Sequence, residues 1–235
     1  MAAPPTSSQS YAWNPALADV IIAAYGRCQI RRTSLTVDHL ADAAMAANLL
    51  QVEWSNEQVN LWTVDLQTIP LQEGVSVYDV DPGTMMIMAA YISTEQEPEK
   101  HRIITSIDRD SYAGFPNKET PGRPTTYWFD QQVQPQITIW QPPDENGPYT
   151  LKFYRARRMQ DALLPNGLLP EVPYQFLEAY VAGLAFKLSI LYAPGRTSDL
   201  GNLANYTFTR AKQRDVEDSS LRIVPAMTTY TSMVY

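Results

Sequence analysis

The chain has 235 residues, 45% hydrophobic and 18% charged, with a net charge of -7; this gives one substantial core or two small ones and excludes a disordered body. The acidic total excludes a protein that grips phosphates over a wide basic face, since nonspecific nucleic-acid affinity comes from Lys and Arg displacing counterions. Cys28 is the single cysteine, which excludes an internal disulfide, and with only His39 and His101 beside it a thiolate–histidine zinc cluster cannot be built.

Residues 1–14 lack the basic start and continuous apolar run of a signal peptide, and the longest apolar run falls far short of a membrane span. Synthesis in the cytosol and no membrane association are therefore expected. No charged side chain precedes Asp19. This first stretch reads as an N-terminal arm that either docks through Tyr11 and Trp13 or stays a disordered terminus. Asn14 followed by Pro15 is a helix start, because Asn caps free amides and Pro tolerates the first turn. Leu17, Val20, Ile21 and Ala24 then recur at helical spacing and Gly26 lies near the stop, which predicts a first helix over about 15–28.

Thr36 is positioned to cap a second helix running to Asn60, with Val37, Leu40, Ala41, Ala44, Met45, Leu49 and Val52 as its apolar face. From Leu61 the period changes to two: Trp62, Val64 and Leu66, then Val75 and Val77, then Met85, Ile87, Ala89 and Tyr91 alternate with their neighbours. Further strands are expected at about 102–108, 125–130, 136–141 and 149–157. Turn signals at 81–83, 121–122, 142–143 and 146–148 separate them. Six or seven short strands without long helices between them predict an antiparallel β-sandwich or barrel.

A third helix follows Leu168 to Pro173 and is apolar on most faces; Ala179, Ala182, Gly183 and Ala185 invite another helix to come close. Pro194 and Gly195 end it. A fourth, more polar helix is expected over about 197–218, and after Arg222 no charge appears through Tyr235. The predicted fold is therefore α+β, a four-helix bundle with an inserted antiparallel β-domain. Its parts are an N-terminal arm (1–14), a helical bundle domain (15–60 and 170–218), an inserted β-domain (61–169) and a C-terminal arm (219–235). The β-prone, nearly neutral last segment suits a neighbour's groove.

No acids, bases or nucleophiles stand at a recognisable catalytic spacing, so no catalytic, cofactor or metal residues are assigned and no cofactor is expected. Asp108, Arg109 and Asp110 read as a strand end entering a turn, and His39 as a satisfied surface histidine. Arg155, Arg157 and Arg158 form the strongest basic run, with Arg27, Arg31 and Arg32 a smaller one; solvated or intersubunit salt bridges are expected of both, and subunit or partner salt bridges are assigned to the first set. Trp128, Trp140, Tyr127 and Tyr154 would suit sugar binding if they lined one exposed face, and otherwise read as core.

The order of elements resembles the head-to-tail adaptor (head completion, or tail-accessory) proteins of short-tailed bacteriophages, a group that includes a Salmonella phage factor and the tail tubular protein A type. The resemblance rests on ALADVIIAAYG (16–26), LLQVEW (49–54), WTVDLQTIPLQEG (62–74), RIITSIDRDSY (102–112), GRPTTYWFD (122–130), ITIWQPP (137–143) and LPEVPYQFLEAYVAGLA (169–185). It implies a structural virion protein of the neck or tail, assembled in the host cytoplasm as a homo-oligomeric ring, a dodecamer, beneath the portal protein. Such a ring extends the DNA channel, lets DNA pass without specific binding, and offers a platform to the tail nozzle or tail tube protein. The terminal extension would reach the portal, through Leu221, Arg222, Ile223, Val224, Met227, Tyr230, Met233 and Tyr235. Two other readings stand beside it: a carbohydrate-binding or cell-wall-degrading virion module using Trp128, Trp140, Asp130 and Glu171, and a nucleic-acid binder using the Arg155–Arg158 strand.

Overall fold

A computed structural model describes residues 10, 13–57, 61–94, 100–162 and 169–215. It is a mixed α+β structure of five helices and one seven-stranded sheet. The helices are α1 (Leu17–Arg27), α2 (Val37–Glu57), α3 (Arg109–Ala113), α4 (Leu177–Tyr192) and α5 (Thr197–Lys212). The strands are β1 (Val64–Pro70), β2 (Val77–Asp79), β3 (Thr84–Thr94), β4 (Lys100–Ser106), β5 (Thr126–Asp130), β6 (Gln136–Trp140) and β7 (Tyr149–Arg157).

Helix α4 is the centre of the helical part. Tyr180, Leu184, Ala185 and Leu188 are fully buried, and α1, α2 and α5 each pack against it. Its small residues permit this: a side chain at Gly183 would meet the Leu50 methyls of α2 at 2.9 and 3.0 Å. Around that contact Trp54 of α2 stacks on Phe208 of α5 at 5.0 Å and tilts against Phe176 at 5.8 Å. Gln51 donates to the Tyr180 hydroxyl at 3.2 Å, which satisfies a polar pair inside this core.

Two expectations for the helices change. Helix α1 begins at Leu17 with Ala16 in the cap position, so Asn14 does not cap it. On α2 the buried face is Ala43, Ala47, Leu50, Gln51 and Trp54, whereas Val37, Met45, Leu49 and Val52 are exposed. Close approach to α4 selects the alanines, and a single Trp supplies the bulk that a row of larger side chains was expected to provide.

The sheet order is β1-β7-β3-β4-β5-β6-β2. Its two end strands are consecutive in the chain, and this decides its shape. Seven flat strands put the first and last about 29 Å apart, whereas the connection from Pro70 to Val77 reaches at most about 25 Å. The sheet therefore curls, and two register irregularities between β3 and β7 help to bend it. Its concave side holds a second apolar cluster, with Ile92, Ile137, Ile139, Leu151 and Phe153 at the centre. Tyr78 of β2 pins the turn that joins the two end strands: its hydroxyl donates to the Val75 carbonyl at 3.0 Å, lies 3.2 Å from the Gln72 carbonyl and accepts from the Gln72 amide at 2.9 Å.

One pair departs from the antiparallel expectation, because β4 and β5 run parallel. The long connection between them, which includes the unpredicted helix α3, carries the chain back before β5 starts. Asp108 caps α3 by accepting from the Ser111 amide at 2.7 Å. Trp62, expected on a strand, lies instead in a short 3-10 turn (Leu61–Thr63) and stacks toward Phe176 of the helical core.

The Gly183–Leu50 contact yields a test. Gly183→Val is expected to destabilise the fold by about 1–3 kcal/mol through overpacking, read as a lower urea midpoint. Leu50→Ala in the same chain should return part of that loss, so the double variant loses less than the sum of the two single ones.

Candidate interaction surfaces

The chemistry-bearing side chains gather in two kinds of place. The first is a charged junction between sheet and helices. Arg155 and Arg157 alternate on β7 and so share one face, opposite Asp65 of β1, the register partner of Arg155. Arg155 donates from Nε to Asp65 at 2.7 Å and from Nη1 to Thr84 at 2.8 Å, and lies 3.0 Å from Asp81. Arg157 reaches Asp65 at 3.5 Å and makes a two-pronged pair with Glu171. Glu171 in turn accepts from the Gln160 amide at 2.7 Å, and its carbonyl accepts from the Trp62 indole at 3.1 Å. Since Trp62 packs on Phe176, the network ties β1 and β7 to the entry of α4. Arg158 stands apart with an exposed side chain, its amide bonded to the Gly83 carbonyl.

These contacts set the acid–base state of the junction. Burial pushes the Glu171 carboxyl up, but the hydrogen bonds from Arg157 and the Gln160 amide outweigh it and hold the group below its ordinary range. Asp81 is also lowered, first by the Gly83 amide and then by Arg155.

The second kind of place is exposed apolar surface. Met45, Leu49 and Val52 on α2 are 63%, 53% and 55% exposed, and with Val37 and Ala41 they form one stripe at helical spacing. On the sheet, the register partners Leu66 and Tyr154 are both exposed, with Met86 and Met88 exposed on the adjoining β3. An open groove of about 1190 Å³ runs between α1, α4 and α5, lined by Trp13, Val20, Val181, Leu203 and Tyr206 among others. Trp13 meets Tyr174 edge-on at 6.0 Å at its rim. Surfaces of this kind mark contacts with other chains.

The remaining expected sites are placed as follows. Arg27 pairs with Glu178 at 2.8 Å, while Arg31 and Arg32 are exposed in the turn before α2. His39 stacks on Tyr192 at 4.7 Å and receives the Thr36 amide at 3.3 Å. The aromatic residues considered for sugar do not all line one exposed face: Trp128 and Trp140 share the outer face of β5 and β6, where each is half-buried against another ring. Tyr127 is buried on the concave side, Trp140 stacks under Phe115 at 4.4 Å, and Trp128 lies against Tyr112 with Arg109 over its ring. Asp130 and Glu171 are engaged by different arginines, Arg109 and Arg157. Leu221, Arg222, Ile223, Val224, Met227, Tyr230, Met233 and Tyr235, with Tyr11 at the other end, lie outside the described residues. The apolar stripe of α2 was missed because its residues were assigned to the core; their clean spacing was the signal, and it carried no information about which side faced α4.

Among the described residues no group of three or more His, Cys, Asp and Glu is arranged to hold a metal, and no helix is long and apolar enough to cross a membrane. Residues 16–229 match the SU10 adaptor protein family. The chain belongs to that family of phage structural adaptor proteins. A search of curated proteins returned no match.

Glu171 supplies a test of the junction. Its folded carboxyl titrates below its ordinary value of 4.5, so the stability it adds is complete above that value and is lost as pH falls through the lower folded value. Glu171→Gln is expected to cost about 1–2 kcal/mol at neutral pH, a fall in Tm of roughly 2–8 °C. The gap between variant and parent should shrink as pH drops below 4.5.

Proposed function

We propose that the chain is a head-to-tail adaptor of the virion neck, assembled as a closed ring, a dodecamer, between the portal protein and the tail nozzle or tail tube. Membership of the SU10 adaptor protein family over residues 16–229 carries this reading. The acidic total of -7 fits a channel wall along which DNA slides without being held. Unpartnered apolar faces on α2 and on the outer sheet fit a subunit completed by its neighbours.

We read the body as a four-helix bundle domain from 15–60 and 170–218 with an inserted β-domain at 61–169. Two separate apolar clusters support the division. One is built mainly from residues of α1, α2, α4 and α5, joined by Met159 and Ala162 from the segment after β7, and the buried residues of the other all fall within 71–153. On this reading the two arms, 1–14 and 219–235, serve the partners, the second reaching the portal. Assembly takes place in the host cytoplasm, where the head is completed.

Electron microscopy of the protein mixed with purified portal rings tests the assignment, and an added ring of density on one end of the portal is expected. Removing 222–235 should weaken portal binding at least tenfold while circular dichroism and Tm stay near those of the full chain. Portal rings left bare by the full-length protein would overturn the adaptor assignment; full binding by the truncated chain would overturn the role given to the tail.

A further inference from the structure

We propose that neighbouring copies join by seating the apolar stripe of α2 from one copy in the groove between α1, α4 and α5 of the next, an inference that rests on the ring reading above.

Complementary charge selects this pairing among the exposed faces. By helical spacing Asp38, Asp42 and Glu53 fall along one edge of the Val37–Ala41–Met45–Leu49–Val52 stripe. Asp38 is exposed with no side-chain partner among the described residues; Asp42 accepts only from the Tyr192 hydroxyl, and Glu53 pairs with Lys187 at 2.5 Å. The groove carries the opposite sign on its α5 wall. Arg210 of α5 and Arg214 just beyond its end stand beside Leu203 and Tyr206, and neither arginine has a carboxylate partner among the described residues. Of the acids in the groove, Glu178 is matched by Arg27, which leaves Asp19 on the α1 side. An apolar ridge with an acidic edge thus meets an apolar trough with a basic wall.

Placement on the subunit supports the same conclusion. Gly183 of α4 faces Leu50 of α2, while Val181 lines the groove. Two residues are about 200° of helical turn, so the Val181 wall of the groove and the α2 contact at Gly183 lie on nearly opposite sides of α4, although Ala179 at the groove's other wall turns nearer to α2. A contact between the α2 stripe and the groove cannot close within one chain or pair the same patch with itself. It is head-to-tail, the interface type that builds a ring when its rotation closes.

Cysteine cross-linking on the full chain tests the pairing. In a Cys28→Ala background, which removes the single native thiol, Leu49→Cys and Leu203→Cys are placed in the same chain. Oxidation in the presence of portal rings is expected to give a ladder of covalent multimers. Mixing the two single-cysteine chains should stop at dimers, and Leu49→Cys with Ile103→Cys should give no ladder.

Charge reversal provides a second measurement that does not depend on cysteine geometry. Asp38→Lys with Asp42→Lys, or Arg210→Glu with Arg214→Glu, should each lower assembly about tenfold or more, and all four changes in one chain should recover it. Rings on the portal that form without a ladder and ignore the reversals would overturn the pairing and leave the adaptor reading in place. Absence of any ring would overturn both. Faster amide exchange along α2 in free protein lacking 216–235 would name the chain's own tail as the cover and also overturn the pairing.

Discussion

Helix α4 has no side suited to water along its buried length, and the rest of the helical architecture follows from that. A helix apolar on nearly every face must be surrounded. Tyr180 and Gly183 meet Gln51 and Leu50 of α2, Phe186 lies against Gly201 of α5, and α1, α2 and α5 each pack against the helix. Small residues set the spacing, since Gly183 admits Leu50 to a distance that any side chain there would deny. Bulk is then supplied locally by Trp54, Phe176 and Phe208, whose rings fill the end of the packing nearest the sheet.

The same end of α4 is where the sheet is attached. A curled sheet has its own core and could drift relative to the helices if only a peptide joined them. Arg157 and Glu171 oppose that, because Glu171 stands just before α4 and holds the last residue of β7. Trp62 adds an apolar tie across the same boundary, and the Leu61 amide bonds Asp215 at 3.3 Å just beyond α5. Burial raises the Asp215 carboxyl, with the Leu61 amide acting against it. Three separate contacts therefore brace the passage from helices to sheet.

Much of this was legible in the chain. Two-residue alternation located the first three strands, and turn signals bounded the other four. The composition of α4 announced its burial. Three features were not legible, each for a physical reason. The face of α2 was misread because apolar counting weighs Met and Leu above Ala, whereas close helix packing reverses that order. Helix α3 is only five residues long and depends on the Asp108 cap, too short for a periodic signal. The basic run at Arg155–Arg158 showed a cation-rich strand without showing that Asp65, Asp81 and Glu171, distant in sequence, would meet it.

The misreading of α2 bears on function. A chain selected only for its own stability has no reason to keep Met45, Leu49 and Val52 in water along a helix whose other face already holds the core. Exposed apolar stripes invite random association, and the acids beside this one, with a total charge of -7, keep copies apart until a matching basic surface is presented. On the ring reading that arrangement separates solubility from assembly. Each contact is modest, because association must first offset lost translational and rotational freedom. Closure of a ring adds a contact with no further chain to recruit, so faces that pair weakly between two free copies hold firmly once a template gathers the full set.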